Sequence, residues 1–109
     1  MKRAEVWTVS GGGDCIGKPR PAVILQDDNF AATASVSICA FTSDPTEAPL
    51  FRIAVTPSRQ NGLTTESRLM ADKLTTVSRA KLEQKVGELA AADMKRLERA
   101  IMVFLGLAR

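Results

Sequence analysis

The first half of the chain sets short apolar runs between clusters of Gly, Pro, Asp and Asn, the pattern of strands separated by turns. Glu5 to Val9 is the first predicted strand, and residues 10 to 20, with Gly11, Gly12, Gly13 and Gly17, form a predicted flexible loop. Ala22 to Gln26 reads as a buried strand. In the next one Val36, Ile38 and Ala40 alternate with Ser35, Ser37 and Cys39, and Leu50 to Thr56 repeats that period of two. There Phe51, Ile53 and Val55 take one face, and Arg52, Ala54 and Thr56 the other. Pro57 to Gly62 is turn-rich and holds the tight-turn pair Asn61-Gly62, after which Arg68 to Lys73 is a further predicted strand.

The period then changes. Met94, Leu97, Ile101, Phe104 and Leu105 recur at the spacing of one helical stripe, Asp93 lies near its start, and Gly106 stops it. Lys95, Arg96 and Arg99 fall on the wetter side. Between strands and helix, Ser78 is a good N-cap, but Gly87 weakens a helix through residues 79 to 92. That segment therefore reads as a helical turn from about Arg79 to Leu82 and a short strand near Glu83 to Leu89. Together the elements predict a mainly β fold: a small, strongly curved antiparallel sheet or barrel closed by one helix.

Composition narrows the function classes. With 109 residues the chain has room for a single compact domain, residues 1–109, and 45% hydrophobic with 25% charged residues is the balance of an ordinary globular domain. The apolar runs are far shorter than the roughly 20 residues of a membrane span. Lys2 and Arg3 are followed at once by Glu5 rather than by an apolar stretch, so a secretory signal is not expected and the cytoplasm is. Two separated cysteines, Cys15 and Cys39, and no histidine exclude a zinc site, and a disulfide between them is not expected. No glycine cluster stands at a strand-to-helix junction, as a phosphate-binding loop would require. The net charge of +3 is compatible with nucleic acid without identifying it. Its excess lies in residues 78–109, which carry seven basic and four acidic side chains and read as a solvated helix face.

Five segments carry a resemblance. Ala4-Glu5-Val6-Trp7-Thr8-Val9, Lys18-Pro19-Arg20-Pro21 with the strand after it to Asp28, Ala40-Phe41-Thr42-Ser43, Asp72 to Ser78, and Phe104-Leu105-Gly106-Leu107 occur in order across nearly the whole chain. They resemble the MazF/PemK (Kid) toxins of type II toxin-antitoxin systems. The resemblance implies an SH3-like barrel of antiparallel strands with a C-terminal helix, a symmetric homodimer, and cleavage of single-stranded RNA at short sequence motifs. It also implies a cognate antitoxin whose disordered acidic tail lies over the RNA groove. Independently of the resemblance, no cofactor is expected. The chain departs from the family at Thr75, where an Arg is common, and in the loop between the first two strands.

In that frame Arg20 and Thr42 are the expected catalytic residues, with Lys18, Ser43 and Asp72 as RNA-binding residues. RNA supplies its own nucleophile, the 2'-hydroxyl, so a protein need only align it and stabilise charge on the phosphate. Arg20 suits the second task because a guanidinium is planar, permanently charged and able to hold two phosphate oxygens. With a pKa above roughly 12 it is a poor base. The Thr42 hydroxyl can donate to the phosphate, Ser43 can assist, and Asp72 can orient a base, the Arg or a ribose hydroxyl. Trp7 suits either stacking on a base or core and dimer packing. Two non-catalytic readings stand beside this. One is a gyrase poison on the same architecture, which depends on a terminal Trp-Gly-Ile where this chain ends Leu107-Ala108-Arg109. The other is an SH3-like module that binds RNA or protein, expected if Arg20 and Thr42 do not converge.

Overall fold

The computed structural model describes residues 1–10 and 18–108. The expected glycine loop, with Cys15, lies for the most part outside the described residues. Six strands, β1 (Glu5–Val9), β2 (Arg20–Ile24), β3 (Ser35–Thr42), β4 (Arg52–Val55), β5 (Ser67–Ser78) and β6 (Leu82–Glu88), precede one helix, α1 (Ala91–Phe104). All pairings are antiparallel, in the order β4-β5-β3-β2-β1-β6. That order leaves β4 and β6 as edges, and no ladder joins them among the described residues.

The middles of β2 and β3 are buried on both faces. Val6, Val23, Cys39, Phe41, Leu69 and Ala71 meet Met94, Leu97 and Ala100 of α1 in one cluster, while Val9, Ala22, Ile24, Val36 and Ile38 form a second with Trp7 against it. Successive side chains of a strand point to opposite faces, so Val23 serves one cluster and its neighbours Ala22 and Ile24 the other. At roughly 25 cal/mol per Å² of apolar area, each fully buried Val, Leu or Ile here contributes about 2 kcal/mol.

Several elements differ from the sequence expectation. β5 runs to Ser78 rather than Lys73, because Leu74 to Ser78 pair with Cys39 back to Ser35. β2 starts at Arg20 rather than Ala22. Pro21 is accommodated because it pairs only with Thr8 of β1, the ladder to β3 beginning at Ala22. A single 3₁₀ turn at Arg79–Lys81, with Ser78 Oγ accepting from Ala80 N, and then β6 match the expected turn and strand. The helix stripe is only partly covered: Phe104 is 49% and Leu105 54% exposed, because the last turn runs past the sheet. Phe104 touches Phe51, ring centroids 6.1 Å apart. Gly106, at φ 75°, ends the helix in a Schellman motif, with Leu107 N donating to Met102 O and Gly106 N to Val103 O. No helix of the described residues is long and apolar enough to cross a membrane.

Candidate active site

Strand register brings the two expected catalytic residues together. β2 and β3 pair with Ala22 opposite Ala40. Two residues further along that register, at the start of one strand and the end of the other, stand Arg20 and Thr42. The period of two puts both on the same face as the alanines. Both line one open cleft of about 290 Å³, together with Ser43, Thr8 of β1, Val86 of β6 and residues 62–65.

Arg20 is exposed, lines the cleft and forms no ion pair with a carboxylate among the described residues. Thr42 is half-buried at the end of β3, and its Oγ1 accepts from Asp44 N at 3.2 Å. That bond occupies one acceptor position, and the hydroxyl proton stays free to donate into the cleft. The segment after Thr42 is held in place: Arg68 donates to Asp44 O and pairs with Glu47 at 2.8 Å, and Asp44 Oδ1 accepts from Thr46 N and Oγ1. Those bonds from Thr46 keep the Asp44 carboxyl below the usual carboxylate range.

Lys18 and Asp72 lie outside the lining of the cleft. Lys18 is exposed two residues ahead of Arg20. Asp72 accepts from Arg52 Nε at 2.8 Å and Nη2 at 3.1 Å, so both carboxylate oxygens are occupied within the protein. The cause is again register: Arg52 pairs with Met70, which sets Asp72 diagonally across the same face of the β4–β5 ladder. The hydrogen bond from Arg52 holds the Asp72 carboxyl below its ordinary range. Of the roles the sequence allowed Asp72, orienting an arginine fits, but the arginine is Arg52.

Trp7 is half-buried and donates from Nε1 to Glu5 Oε1 at 2.9 Å. Burial pushes the Glu5 carboxyl up, and it is nonetheless held below its ordinary range by Trp7, by Lys2 N and by Lys85. Cys39 is a free, buried thiol pushed up to about 12 by desolvation, and so chemically quiet. The cleft residues that sequence reasoning missed include Thr8, Leu63 to Thr65, Ser67 and Val86. Asn61-Gly62 marks their turn in the sequence, but nothing local says that the turn docks on β6.

A curved antiparallel sheet braced by a terminal helix, with an arginine and a hydroxyl sharing an exposed cleft, defines a small β protein equipped to hold an anionic ligand. The chain belongs to the PemK-like, MazF-like toxins of type II toxin-antitoxin systems, whose family model matches residues 2–105. It is 51% identical over 108 residues to the probable endoribonuclease MazF of Mycolicibacterium smegmatis, covering 99% of both chains. Its fold is similar to that of an endoribonuclease in complex with its cognate antitoxin from a mycobacterial species, with a TM-score of 0.82 at 24% identity, covering 100% of this chain and 98% of that one. It is also similar to a MazE-MazF structure from Deinococcus radiodurans, with a TM-score of 0.77 at 18% identity, covering 99% and 98% of the two chains.

Proposed function

We propose that this endoribonuclease toxin cuts single-stranded RNA in the Arg20–Thr42 cleft by metal-independent transesterification. The 2'-oxygen bonds to phosphorus, the bond from phosphorus to the 5'-oxygen breaks, the nucleophile gives up its proton and the leaving oxygen gains one. The products are a 2',3'-cyclic phosphate and a 5'-hydroxyl. Arg20 braces the non-bridging oxygens as charge accumulates on them, and the Thr42 hydroxyl donates a further hydrogen bond. Neither task needs a metal ion, because the nucleophile belongs to the substrate and the guanidinium supplies the positive charge. Ser43 and Lys18 contact neighbouring parts of the RNA backbone. Asp72 serves indirectly, by fixing Arg52 on the strand that follows the Thr42 loop.

The observation that carries this reading is the convergence of Arg20 and Thr42 on one cleft, from strands adjacent in the sheet but far apart in sequence. Convergence favours catalysis over the non-catalytic SH3-like module. An SH3-like barrel is part of this reading, supported by the connection from β4 to β5 reaching the far edge strand, with Glu88 N donating to Gln60 O at 2.8 Å. Residues 1–109 thus act as one toxin domain, in the cytoplasm where messenger RNA is available, as a homodimer. The dimer is supported by apolar side chains left open, Leu107 at 73% and Leu50 at 72% exposure. The partner is an antitoxin with a disordered acidic tail that competes with RNA for the Arg20–Thr42 cleft.

The test is cleavage of a single-stranded RNA by purified protein in excess EDTA, with end-group analysis. Cyclic phosphate and 5'-hydroxyl ends are expected. Activity that requires added metal, or leaves 5'-phosphate ends, refutes the mechanism.

A further inference from the structure

The part of the cleft lining that follows Asn61 is built differently from the part around Arg20. Asn61 is 3% exposed, and its side chain makes three hydrogen bonds: Oδ1 accepts from Ser58 N at 2.9 Å and Leu63 N at 3.0 Å, and Nδ2 donates to Thr56 O at 2.9 Å. Gly62 follows at φ 70°, so close to β6 that an added Cβ would stand 2.1 Å from Val86 O. On the other side of that contact, a Cβ on Gly87 would stand 2.4 Å from Asn61 C. Backbone lies directly on backbone, and the turn is pinned. Downstream, Ser67 Oγ donates to Thr65 O at 3.0 Å. Leu63, Thr64 and Thr65 are thus held at both ends where they border the cleft.

These three residues carry no charge. Thr64 and Thr65 are exposed, and among the described residues neither hydroxyl is hydrogen-bonded within the protein. Each offers one donor and two acceptor positions beside the apolar surface of Leu63 and Val86. A phosphate is drawn to Arg20, the one charged residue of the cleft lining among the described residues. What suits the neutral wall is a nucleobase, with an apolar face and hydrogen-bonding edges, splayed from a single strand. We infer that Thr64 and Thr65 are specificity-determining residues that read the base of a nucleotide flanking the scissile phosphate, and that Asn61 is the positioning residue that fixes them. This rests on the reading of the cleft as the RNA-cleaving site.

The experiment uses an RNA pool with randomised positions. Cut sites are mapped through their 5'-hydroxyl ends, and in parallel the pool is selected for binding at fixed salt. The probes are the wild type, Thr64→Val/Thr65→Val, Asn61→Ala and Arg20→Lys. Valine keeps the shape and the β-branch while removing the hydroxyls, so folding should be retained. The double variant is expected to lose about tenfold in preference at one position next to the cut, the worth of a net hydrogen bond of about 1.4 kcal/mol, and to show the same change in bound RNA. Asn61→Ala should broaden the same position, whereas Arg20→Lys slows cutting at every site and leaves the profile alone. An unchanged base profile for the double variant, in cutting and in binding, overturns the inference. Absence of cutting by the wild type overturns the nuclease reading instead, and the binding arm still decides the role of Thr64 and Thr65.

Discussion

Replacing Gly62 by alanine, with Gly106 as its control, separates backbone conformation from close approach. Both glycines have positive φ, 70° and 75°. A left-handed alanine costs about 1 kcal/mol, so each substitution carries that penalty. At Gly106 nothing lies within 4 Å of the new Cβ, and the penalty is the whole effect. At Gly62 the Cβ would meet Val86 O at 2.1 Å, a distance no side-chain rotamer can relieve because the backbone fixes the Cβ position and its partner is a backbone oxygen. The turn must lift from β6, which breaks the bond from Glu88 N to Gln60 O. One net hydrogen bond is worth about 1 kcal/mol, and the forced backbone shift adds about 1 to 3 kcal/mol. Gly62→Ala should therefore cost about 3 to 5 kcal/mol and Gly106→Ala about 1 kcal/mol. Urea unfolding of both variants measures this, with the m-value checked for constancy. Equal losses for the two would refute the claim that the turn is seated on β6, and with it the rigid 62–65 lining of the cleft.

Other outcomes follow from the ion pairs. Asp72→Asn leaves Arg52, whose side chain is only 13% exposed, without its counter-charge. The loss should be about 2 kcal/mol in the same assay, between the values for surface and buried pairs, and an unchanged midpoint would contradict it. The carboxyls of Glu5 and Asp72 are both held below their ordinary range. Their contribution is therefore present above the unfolded-state values near pH 4 and is lost as the pH falls through the lower folded-state values. Stability should be level from neutral pH to about pH 5 and decline below it, more shallowly in Glu5→Gln; an equally steep decline in that variant removes Glu5 from the account.

Much of the fold is legible because its signals are local. β1, the turn after Ser78 and the Gly106 helix stop each follow from a few adjacent residues. What escapes is set by partners distant in sequence. Thr75 and Thr76 carry no apolar alternation and become strand only because β3 offers Ile38 and Ser37 opposite them. Pro21 looks like a strand breaker until β1 is seen to pair with it on one side alone. The same holds for the site. Arg20 and Thr42 are readable as residues, but their proximity depends on the register of β2 against β3. Asp72 is equally readable, and the register of β4 against β5 gives it to Arg52 instead.

The central claim is that Arg20 stabilises the transition state of RNA cleavage rather than merely attracting RNA. Single-turnover cleavage by Arg20→Lys, measured beside RNA affinity at fixed salt, tests it most directly. Lysine keeps the charge and loses the two-pronged geometry. The account predicts near wild-type affinity with cleavage slowed roughly 100- to 1,000-fold, a smaller loss for Thr42→Ala, and unchanged thermal unfolding in both. Wild-type cleavage by Arg20→Ala, with only weakened binding, would contradict it and place the chemistry outside this cleft.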